Sequence, residues 1–327
     1  MPRTGINPSR GRTTDYKPAR VTLAVLTYLP DTVAYYENRF DVTRLCLESL
    51  IVNTPEPYDL LVFDNGSSPQ MTDYLRSLRD AGDVDYLLLS GRNIGKIGAL
   101  QMIARTSPGE ILAYADDDVF FLPGWLEAHL KIIDTYPRVG MVTGFYIRPH
   151  MRYGNDSALK FAEQPEVRVE RGSLIPKEWE QQYVDNMGRT WERYNEEIVD
   201  LQDMALTYKG VETLVSAGHH QFVTPRSVLM EALPPGWSGN LMGQMRDLDS
   251  TVDRLGYLRL TTRQPVTRLI GNVVGPEMAA EAGRYGISAT GRTIKPTSSA
   301  LSRLYRHPII QRLAKSIYNQ VYKIVNV

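Results

Sequence analysis

Residues 110–126 read EILAYADDDVFFLPGWL, so an apolar run leads directly into three consecutive acids. The nearly continuous apolar character of residues 110–115 predicts a strand that is covered on both faces. Three carboxylates after such a strand would repel one another if they were buried without compensation. An extended backbone would point Asp116 and Asp118 to one side and Asp117 to the other. The triplet therefore predicts a site for Mg²⁺ or Mn²⁺, with a solvated acidic turn as the alternative.

The sequence on both sides of the triplet alternates short β-rich runs with longer amphipathic runs. This rhythm is typical of an α/β fold, in which parallel strands are joined by helical crossovers. We predict strands at residues 21–27, 59–64, 84–90, 110–115 and 139–147. We predict helices near residues 40–52, 70–80, 96–106 and 123–136.

Polar residues follow the predicted strands. The first strand ends in Thr27-Tyr28, the second runs into Asp64-Asn65-Gly66, and the third runs into Gly91-Arg92-Asn93. Asp, Asn, Gly and Ser are also ordinary turn formers, so each loop taken alone has a structural explanation. Because ligands bind at the carboxyl ends of parallel strands, their coincidence predicts one shared binding site.

Composition excludes several classes of protein. Lys plus Arg equals Asp plus Glu at 37 each in 327 residues, which gives no electrostatic case for a nucleic acid partner. The single cysteine, Cys46, excludes a disulfide framework and a cysteine zinc site. Residues 1–20 are predicted to be a disordered arm without the apolar core of a signal peptide. Without an apolar run of about 18 residues, we expect a cytoplasmic protein, either soluble or peripheral on the inner membrane face.

The rest of the chain divides into three predicted segments. Residues 148–210 are charged and helical in pattern, which predicts a helical insertion. Residues 211–275 show a second β/α rhythm. Residues 276–327 form a basic extension that ends in a predicted amphipathic helix. That helix could lie on an anionic bilayer, dock on its own domain, or pair with a second subunit in a homo-oligomer.

The segment 110–126 resembles the Asp-x-Asp region of family 2 glycosyltransferases, which have the GT-A fold. The resemblance extends backwards through Asn93-x-Gly95, Asp64-Asn65-Gly66-Ser67 and Thr27-Tyr28, and forwards to Gly256-Tyr257. It implies a Rossmann-like, mostly parallel sheet flanked by helices. Residues 21–147 would be the half that binds the nucleotide sugar, and residues 211–275 the half that binds the acceptor.

The implied activity is an inverting, metal-dependent transfer of one sugar from a nucleoside-diphosphate sugar, preferably a UDP-sugar. The acceptor would be the hydroxyl of a glycan or of a lipid-linked molecule. The chain lacks the Gln-x-x-Arg-Trp motif of processive synthases, which favours a single transfer per encounter. Two alternatives stay open: a sugar nucleotidyltransferase, and a carbohydrate-binding protein that keeps the fold without catalysis.

The resemblance also implies roles for individual residues. Asp116 and Asp118 would hold Mn²⁺ or Mg²⁺. Donor-binding roles fall on residues at the strand ends and on the triplet, namely Thr27, Tyr28, Asp64, Asn65, Arg92, Asn93, Gly95, Lys96, Asp116 and Asp117.

The catalytic base of the family usually stands in a Glu-Asp pair at the start of a late helix. Here Asp247 matches best and Asp249 is the alternative, but Arg246 stands in place of the usual Glu. A positioned carboxylate could accept the proton of the acceptor hydroxyl. An acid that merely favours a helix N-terminus is the structural alternative.

The acceptor side shows a second departure. Leu269 stands where related enzymes often have a histidine, so a third protein ligand for the metal is missing there. His219 or His220 could face the sugar or the metal, although paired histidines at a strand start can also be simply packed. Trp237, in a Gly-rich loop, could stack on a sugar ring or belong to the core.

Overall fold

The structure is a computed structural model that describes residues 7, 9–237, 239–242 and 245–288. Its first half contains four parallel strands, β1 (Val21–Thr27), β2 (Asp59–Asp64), β3 (Tyr86–Leu89) and β4 (Ile111–Asp116), paired in the order β3-β2-β1-β4. Three helices connect them, α1 (Arg39–Val52), α2 (Pro69–Ala81) and α3 (Lys96–Thr106). The predicted crossover rhythm of this half is therefore confirmed.

The chain beyond β4 widens the sheet. Its next elements are β5 (Val119–Phe121), α4 (Trp125–Thr135), β6 (Val139–Thr143), α5 (Asp156–Phe161), β7 (Arg168–Gly172), α6 (Lys177–Asn186), α7 (Trp191–Ile198) and β8 (Asp203–Tyr208). The last elements are β9 (Val211–Val215), β10 (Gln221–Pro225), α8 (Arg226–Ala232), α9 (Met245–Arg254), β11 (Leu258–Thr262), β12 (Thr267–Leu269) and α10 (Pro276–Arg284).

Ten of these strands form one sheet in the order β3-β2-β1-β4-β10-β6-β11-β9-β8-β7. Seven of them, β1 to β4 with β6, β8 and β11, run in one direction, because β10 lies antiparallel to both β4 and β6. The expected α/β class, with a mostly parallel sheet flanked by helices, is confirmed. Strands β5 and β12 form a separate antiparallel pair.

The helical insertion predicted for residues 148–210 is only partly helical. It contains α5, α6 and α7, but also β7 and β8, which form the edge of the large sheet. The last of these helices, α7, ends at Ile198, and Met204 already belongs to β8. Met204 and Leu206 are buried in a core cluster with strand residues of β6 and β9, so tertiary packing overrides the helical pattern there.

Apolar residues cover both faces of the sheet. One cluster lies between the sheet and α1, α2 and α10, and a second lies between the sheet and α3, α8 and α9. Met278 and Ala282 of α10 are buried in the first cluster, so residues 276–288 belong to the main domain and not to a separate extension. The amphipathic helix predicted near the C-terminus lies outside the described residues.

The predicted disordered arm also needs a correction. The backbone N–H of Ala19 donates to Asp59 Oδ2 at 2.8 Å, and the Tyr16 hydroxyl donates to Asp59 Oδ1 at 3.0 Å. The end of this segment is therefore held against the start of β2. Among the helices of the described residues, none has the length and apolar character needed to cross a membrane.

Candidate functional site

The acidic triplet lies where β4 ends. Asp116 is the last residue of β4, Asp117 and Asp118 form a tight turn, and Val119 begins β5. The backbone is therefore not extended through the triplet, although Asp117 is buried while Asp116 and Asp118 stay partly exposed. The turn arises because β5 leaves the large sheet and pairs with β12, in the register Leu269 opposite Val119.

A buried arginine forms ion pairs with two of the three acids. Arg39, the first residue of α1, forms an ion pair with Asp117 and a second one with Asp118 Oδ2 at 3.0 Å. Thr43, one helical turn further on, donates to Asp117 Oδ2 at 2.9 Å. Burial nevertheless raises the pKa of Asp117, against the charge of Arg39. Asp117 is thus held inside the protein, while the side chain of Asp118 is 32% exposed.

Lys96, at the start of α3, compensates the remaining acid. Its Nζ lies 2.6 Å from Asp116 Oδ2, and the Tyr114 hydroxyl donates to Asp116 Oδ1 at 2.7 Å. Arg39, Lys96, Asp116, Asp117 and Asp118, which we call the triplet cluster, carry two positive and three negative charges. Desolvation, with the charges of Asp116 and Asp117, raises the pKa of Asp118 although Arg39 opposes this. An excess of one negative charge remains.

The predicted nucleoside loops lie next to this cluster. Asp64 is 1% exposed, and its carboxylate accepts hydrogen bonds from the Thr27 hydroxyl and from the backbone N–H groups of Gly66 and Ser67. Asp64 therefore shapes the loop after β2 from inside. The backbone N–H of Tyr28 points at Asp117 Oδ2, 3.4 Å away, which joins the end of β1 to the triplet cluster.

The loop before α3 is tied to the loop after β2. Asn65 Nδ2 donates to Asn93 Oδ1 at 3.0 Å, and Asn93 Oδ1 also accepts from the N–H of Gly95 at 2.8 Å. Gly95 has a φ of 77°, and a Cβ at this position would lie 2.7 Å from the carbonyl oxygen of Asn240. Arg92 is exposed beside these residues. The structure thus brings the predicted donor-binding residues together along one edge of the sheet.

A second cluster forms around Asp249, which is fully buried in α9. Its Oδ2 lies 3.0 Å from His219 Nδ1, 3.3 Å from the Tyr153 hydroxyl and 3.4 Å from the guanidinium of Arg259. His150 stacks on His219 with ring centroids 6.0 Å apart. We call His150, Tyr153, His219, Asp249 and Arg259 the histidine cluster.

Arg259 holds this cluster from β11. Its side chain is buried and donates to the carbonyl groups of Tyr153 at 3.0 Å, of Gly154 at 2.7 Å and of Ala217. Burial alone would raise the pKa of Asp249, but the hydrogen bond from His219 and the charge of Arg259 outweigh it and lower that pKa. Asp249 is therefore a fixed anion.

The two clusters meet at the start of β10. The backbone N–H of Asp116 donates to the carbonyl of His220 at 2.8 Å, because β4 and β10 pair with Ala115 opposite Gln221. His220 Nε2 is buried, and burial lowers the pKa of this ring to about 4. Burial also lowers the pKa of His150. A Cβ at Gly218 would lie 2.8 Å from both neighbouring rings, so the close packing here requires glycine.

Asp247 and Trp237 lie apart from the histidine cluster. Asp247 is exposed on α9 and lines a groove with Ile97, Asn240 and Thr251. Trp237 is 60% exposed, and its ring lies against Gly98 of α3. The core position considered for Trp237 is therefore wrong, whereas the predicted roles of Asp247 and Trp237 at the acceptor stay predictions.

The segment around Leu269 borders the triplet. The backbone N–H of Ile270 donates to the carbonyl of Asp118 at 2.8 Å, but Leu269 has no metal-ligating side chain. In the described part of the chain, no group of three or more His, Cys, Asp or Glu side chains is placed to hold a metal ion.

Sequence reasoning missed Arg39, His150, Tyr153 and Arg259. Arg259 had a visible signal, because it interrupts the apolar strand Leu258–Leu260, where a buried cation needs an anionic partner. The other three stand in segments without a distinguishing pattern. Only the fold brings them to the ends of β4 and β10.

Comparison with known proteins gives one family match. The model of glycosyl transferase family 2 matches residues 32–195. No curated protein sequence matches the chain.

Solved structures provide weaker likenesses. The mannosyltransferase PcManGT from Pyrobaculum calidifontis, in complex with GDP-Man and Mn²⁺, is 16% identical, with 78% of this chain and 59% of that chain covered and a TM-score of 0.44. S. aureus TarS 1-349 is 11% identical, with 75% and 60% covered and a TM-score of 0.42. GalNAc-T7 with UDP, GalNAc and Mn²⁺ is 13% identical, with 83% and 48% covered and a TM-score of 0.46. The chain thus spans about three fifths or less of these proteins.

Proposed function

The chain belongs to glycosyl transferase family 2, and on this premise we propose that it transfers one sugar from a nucleoside-diphosphate sugar to an acceptor hydroxyl. The proposed transfer is non-processive, inverts the anomeric carbon and depends on a divalent metal. A UDP-sugar is the favoured donor, and a glycan or a lipid-linked molecule is the acceptor. The triplet cluster at the carboxyl ends of the parallel strands is the observation that carries this proposal.

The edge of the sheet supports donor binding by its charges and its loops. Lys96 offers a cation beside Asp116, and the exposed Arg92 offers another near the loop of Asn93. Cations next to a diphosphate offset its negative charge. We propose that Thr27, Tyr28, Asp64 and Asn65 shape the nucleoside site, with Asp64 acting through the loop that it holds.

The triplet cluster fits a divalent metal in part. Asp116 and Asp118 keep 26% and 32% of their side chains exposed, and their cluster has one uncompensated negative charge. Oxygen ligands of this kind suit Mn²⁺ or Mg²⁺, which would stabilise the charge on the leaving diphosphate. Asp116 and Asp118 would anchor such an ion, with its other ligands from the donor or from water. Asp117 would support them from inside through Arg39 and Thr43.

The acceptor side of the proposal rests on residues of the second half. His219 and His220 stand beside the end of β4, and the exposed ring of Trp237 offers a surface on which a sugar could stack. Asp247 is exposed and could contact an acceptor, whereas Asp249 is completely buried.

Donor binding is the most direct test. We expect a UDP-, GDP- or dTDP-sugar at 100 times its dissociation constant to stabilise the protein by about 2.7 kcal/mol in the presence of Mn²⁺. The variant Asp118→Asn should lose the part of the thermal shift that depends on Mn²⁺. Asp73→Asn, an exposed substitution on α2, is the matched control and should behave like the wild type.

Two outcomes would contradict the proposal. One is the absence of a thermal shift with every nucleotide sugar, with and without Mn²⁺. The other is stabilisation by a nucleoside triphosphate together with release of pyrophosphate, because this pattern belongs to a sugar nucleotidyltransferase.

A further inference from the structure

The ring of His219 combines a fixed orientation with access from outside. Its Nδ1 is held 3.0 Å from the buried Asp249 Oδ2, while 27% of its side chain is exposed. The Arg259 guanidinium, 3.4 Å from the same Oδ2, favours the carboxylate form of Asp249, so we assign the hydrogen between the two residues to Nδ1. The Nε2 atom of the neutral ring then carries a lone pair that can accept a proton.

We propose that His219 is the catalytic base of this protein and that Asp249 is a positioning residue which orients it. The inference rests on the proposed function, because it concerns the acceptor hydroxyl of that transfer. It replaces the carboxylate base expected from Asp247 or Asp249 with a His-Asp pair.

Asp249 cannot act as the catalytic base itself. Its side chain has no exposed surface, and its Oδ2 is occupied by hydrogen bonds with His219 and Tyr153 and by an ion pair with Arg259. A general base must come within about 3 Å of the proton that it removes. An acceptor hydroxyl could not approach Asp249 without displacing the rings that cover it.

The place of His219 along the chain also suits the role. Its neighbour His220 accepts the backbone hydrogen bond of Asp116, so His219 directly precedes a residue that is bonded to the triplet cluster. The donor diphosphate is proposed to bind at that cluster. An acceptor hydroxyl between the donor and His219 would therefore lie beside the proposed base.

The backbone before His219 is held in an unusual conformation. Ser216 has a φ of 92°. Its backbone N–H donates to the carbonyl of Arg259 in β11 at 2.9 Å, and its carbonyl accepts a hydrogen bond from the Thr261 hydroxyl of the same strand at 2.6 Å. A non-glycine residue in this region is strained, and the surrounding contacts must offset that strain. This conformation directs the chain so that His219 lies over Asp249.

The proposed step moves one proton to His219 and breaks one bond of the donor. His219 Nε2 takes the proton of the acceptor hydroxyl while the acceptor oxygen forms its bond to the anomeric carbon of the donor sugar. The bond between that carbon and the diphosphate oxygen breaks, and its electron pair leaves with the nucleoside diphosphate. His219 then releases the proton to solvent, and Asp249 stays ionised throughout.

Release of nucleoside diphosphate from a donor that stabilises the wild type can test the inference without a known acceptor, because water can replace the acceptor. Removal of a general base lowers such rates by about 100-fold to 10,000-fold. We expect His219→Asn to lower kcat by at least about 100-fold, while the donor KM and the thermal shift with donor change less than about threefold. Asp249→Asn should lower kcat similarly, because the amide can donate to Nδ1 and favour the wrong tautomer.

Azide separates a lost base from a damaged fold. It carries no proton, so its attack on the anomeric carbon needs no base. Sodium azide should therefore bring the rate of His219→Asn close to that of the wild type under the same conditions. Because His219 is partly exposed, this variant should fold even if Asp249→Asn is destabilised.

Several results would overturn the inference. A His219→Asn variant with a kcat close to that of the wild type removes His219 from the role, and loss of turnover in Asp247→Asn alone would give the role to Asp247. A large loss in His219→Asn that azide does not reduce makes His219 structural. A wild type that binds no donor overturns the proposed function itself, which is a separate result.

Discussion

The triplet cluster and the histidine cluster neutralise buried acids in different ways. In the triplet cluster, two cations face three carboxylates, and Asp116 and Asp118 remain partly exposed. In the histidine cluster, one carboxylate and one guanidinium are both fully buried, and the side chain of His219 is 27% exposed. The first arrangement leaves a negative charge for a ligand, whereas the second uses its charge to orient a neutral ring.

The largest effect that distinguishes the clusters is expected at Arg259. Its replacement by Met leaves Asp249 buried without a cation and removes the donors of three carbonyl groups, so the free energy of unfolding should fall by about 4 kcal/mol or more. Denaturant unfolding measures this change. Arg254→Met on the exposed side of α9 is the matched control and should stay within about 0.5 kcal/mol of the wild type.

Arg39→Met should have the next largest effect, a loss of about 3 kcal/mol in the free energy of unfolding. The loss is smaller than at Arg259 because Asp118 can still be solvated, although Asp117 loses its buried partner. Adding Asp117→Asn should recover a large part of the loss, which a double-mutant cycle would show. If Arg39→Met costs as much as Arg259→Met, the two clusters do not differ as described.

Acid should lower the free energy of unfolding through His129, which lies outside the histidine cluster. His129 bonds to Gln221 at the start of β10, and burial lowers its pKa to about 4, below the ordinary value of 6.5. Between these two values the unfolded chain binds a proton that the folded protein does not, so stability falls as the pH decreases from 6.5 towards 4. At pH 5 this single group should cost about 2 kcal/mol.

The variant His129→Gln isolates this contribution. Between pH 7 and pH 5, the free energy of unfolding should fall by about 2 kcal/mol less in the variant than in the wild type. An unchanged difference would mean that His129 is protonated in the folded protein at pH 5.

The smallest effect on stability is expected at Lys96. Its pair with Asp116 is partly exposed, so Lys96→Met should lower the free energy of unfolding by about 1 kcal/mol or less. The same variant should weaken the thermal shift with a nucleotide sugar, because the triplet cluster then loses a cation. A stability loss as large as that of Arg39→Met would place Lys96 in the buried core of the cluster.

Local sequence patterns were sufficient for much of the fold. The strands β1, β2 and β4 and the helices between them agree with the predicted ranges, because apolar runs and amphipathic periods report burial directly. The patterns failed at residues 203–208, where pairing with β9 makes a strand of a segment with helical character. They also failed at Asp117 and Asp118, because the pairing of β5 with β12 imposes a turn.

The sequence by itself determined the acidic triplet and the polar strand ends, since these residues are neighbours along the chain and their chemistry is readable in one segment. Only the tertiary structure decided which partners they have. Arg39 and Asp117 are in contact although they are 78 positions apart in the sequence, and Tyr153 and Asp249 are in contact although they are 96 positions apart. Such contacts depend on strand order and on the antiparallel insertion of β10, and no local pattern encodes them, because burial and pairing are properties of the whole sheet.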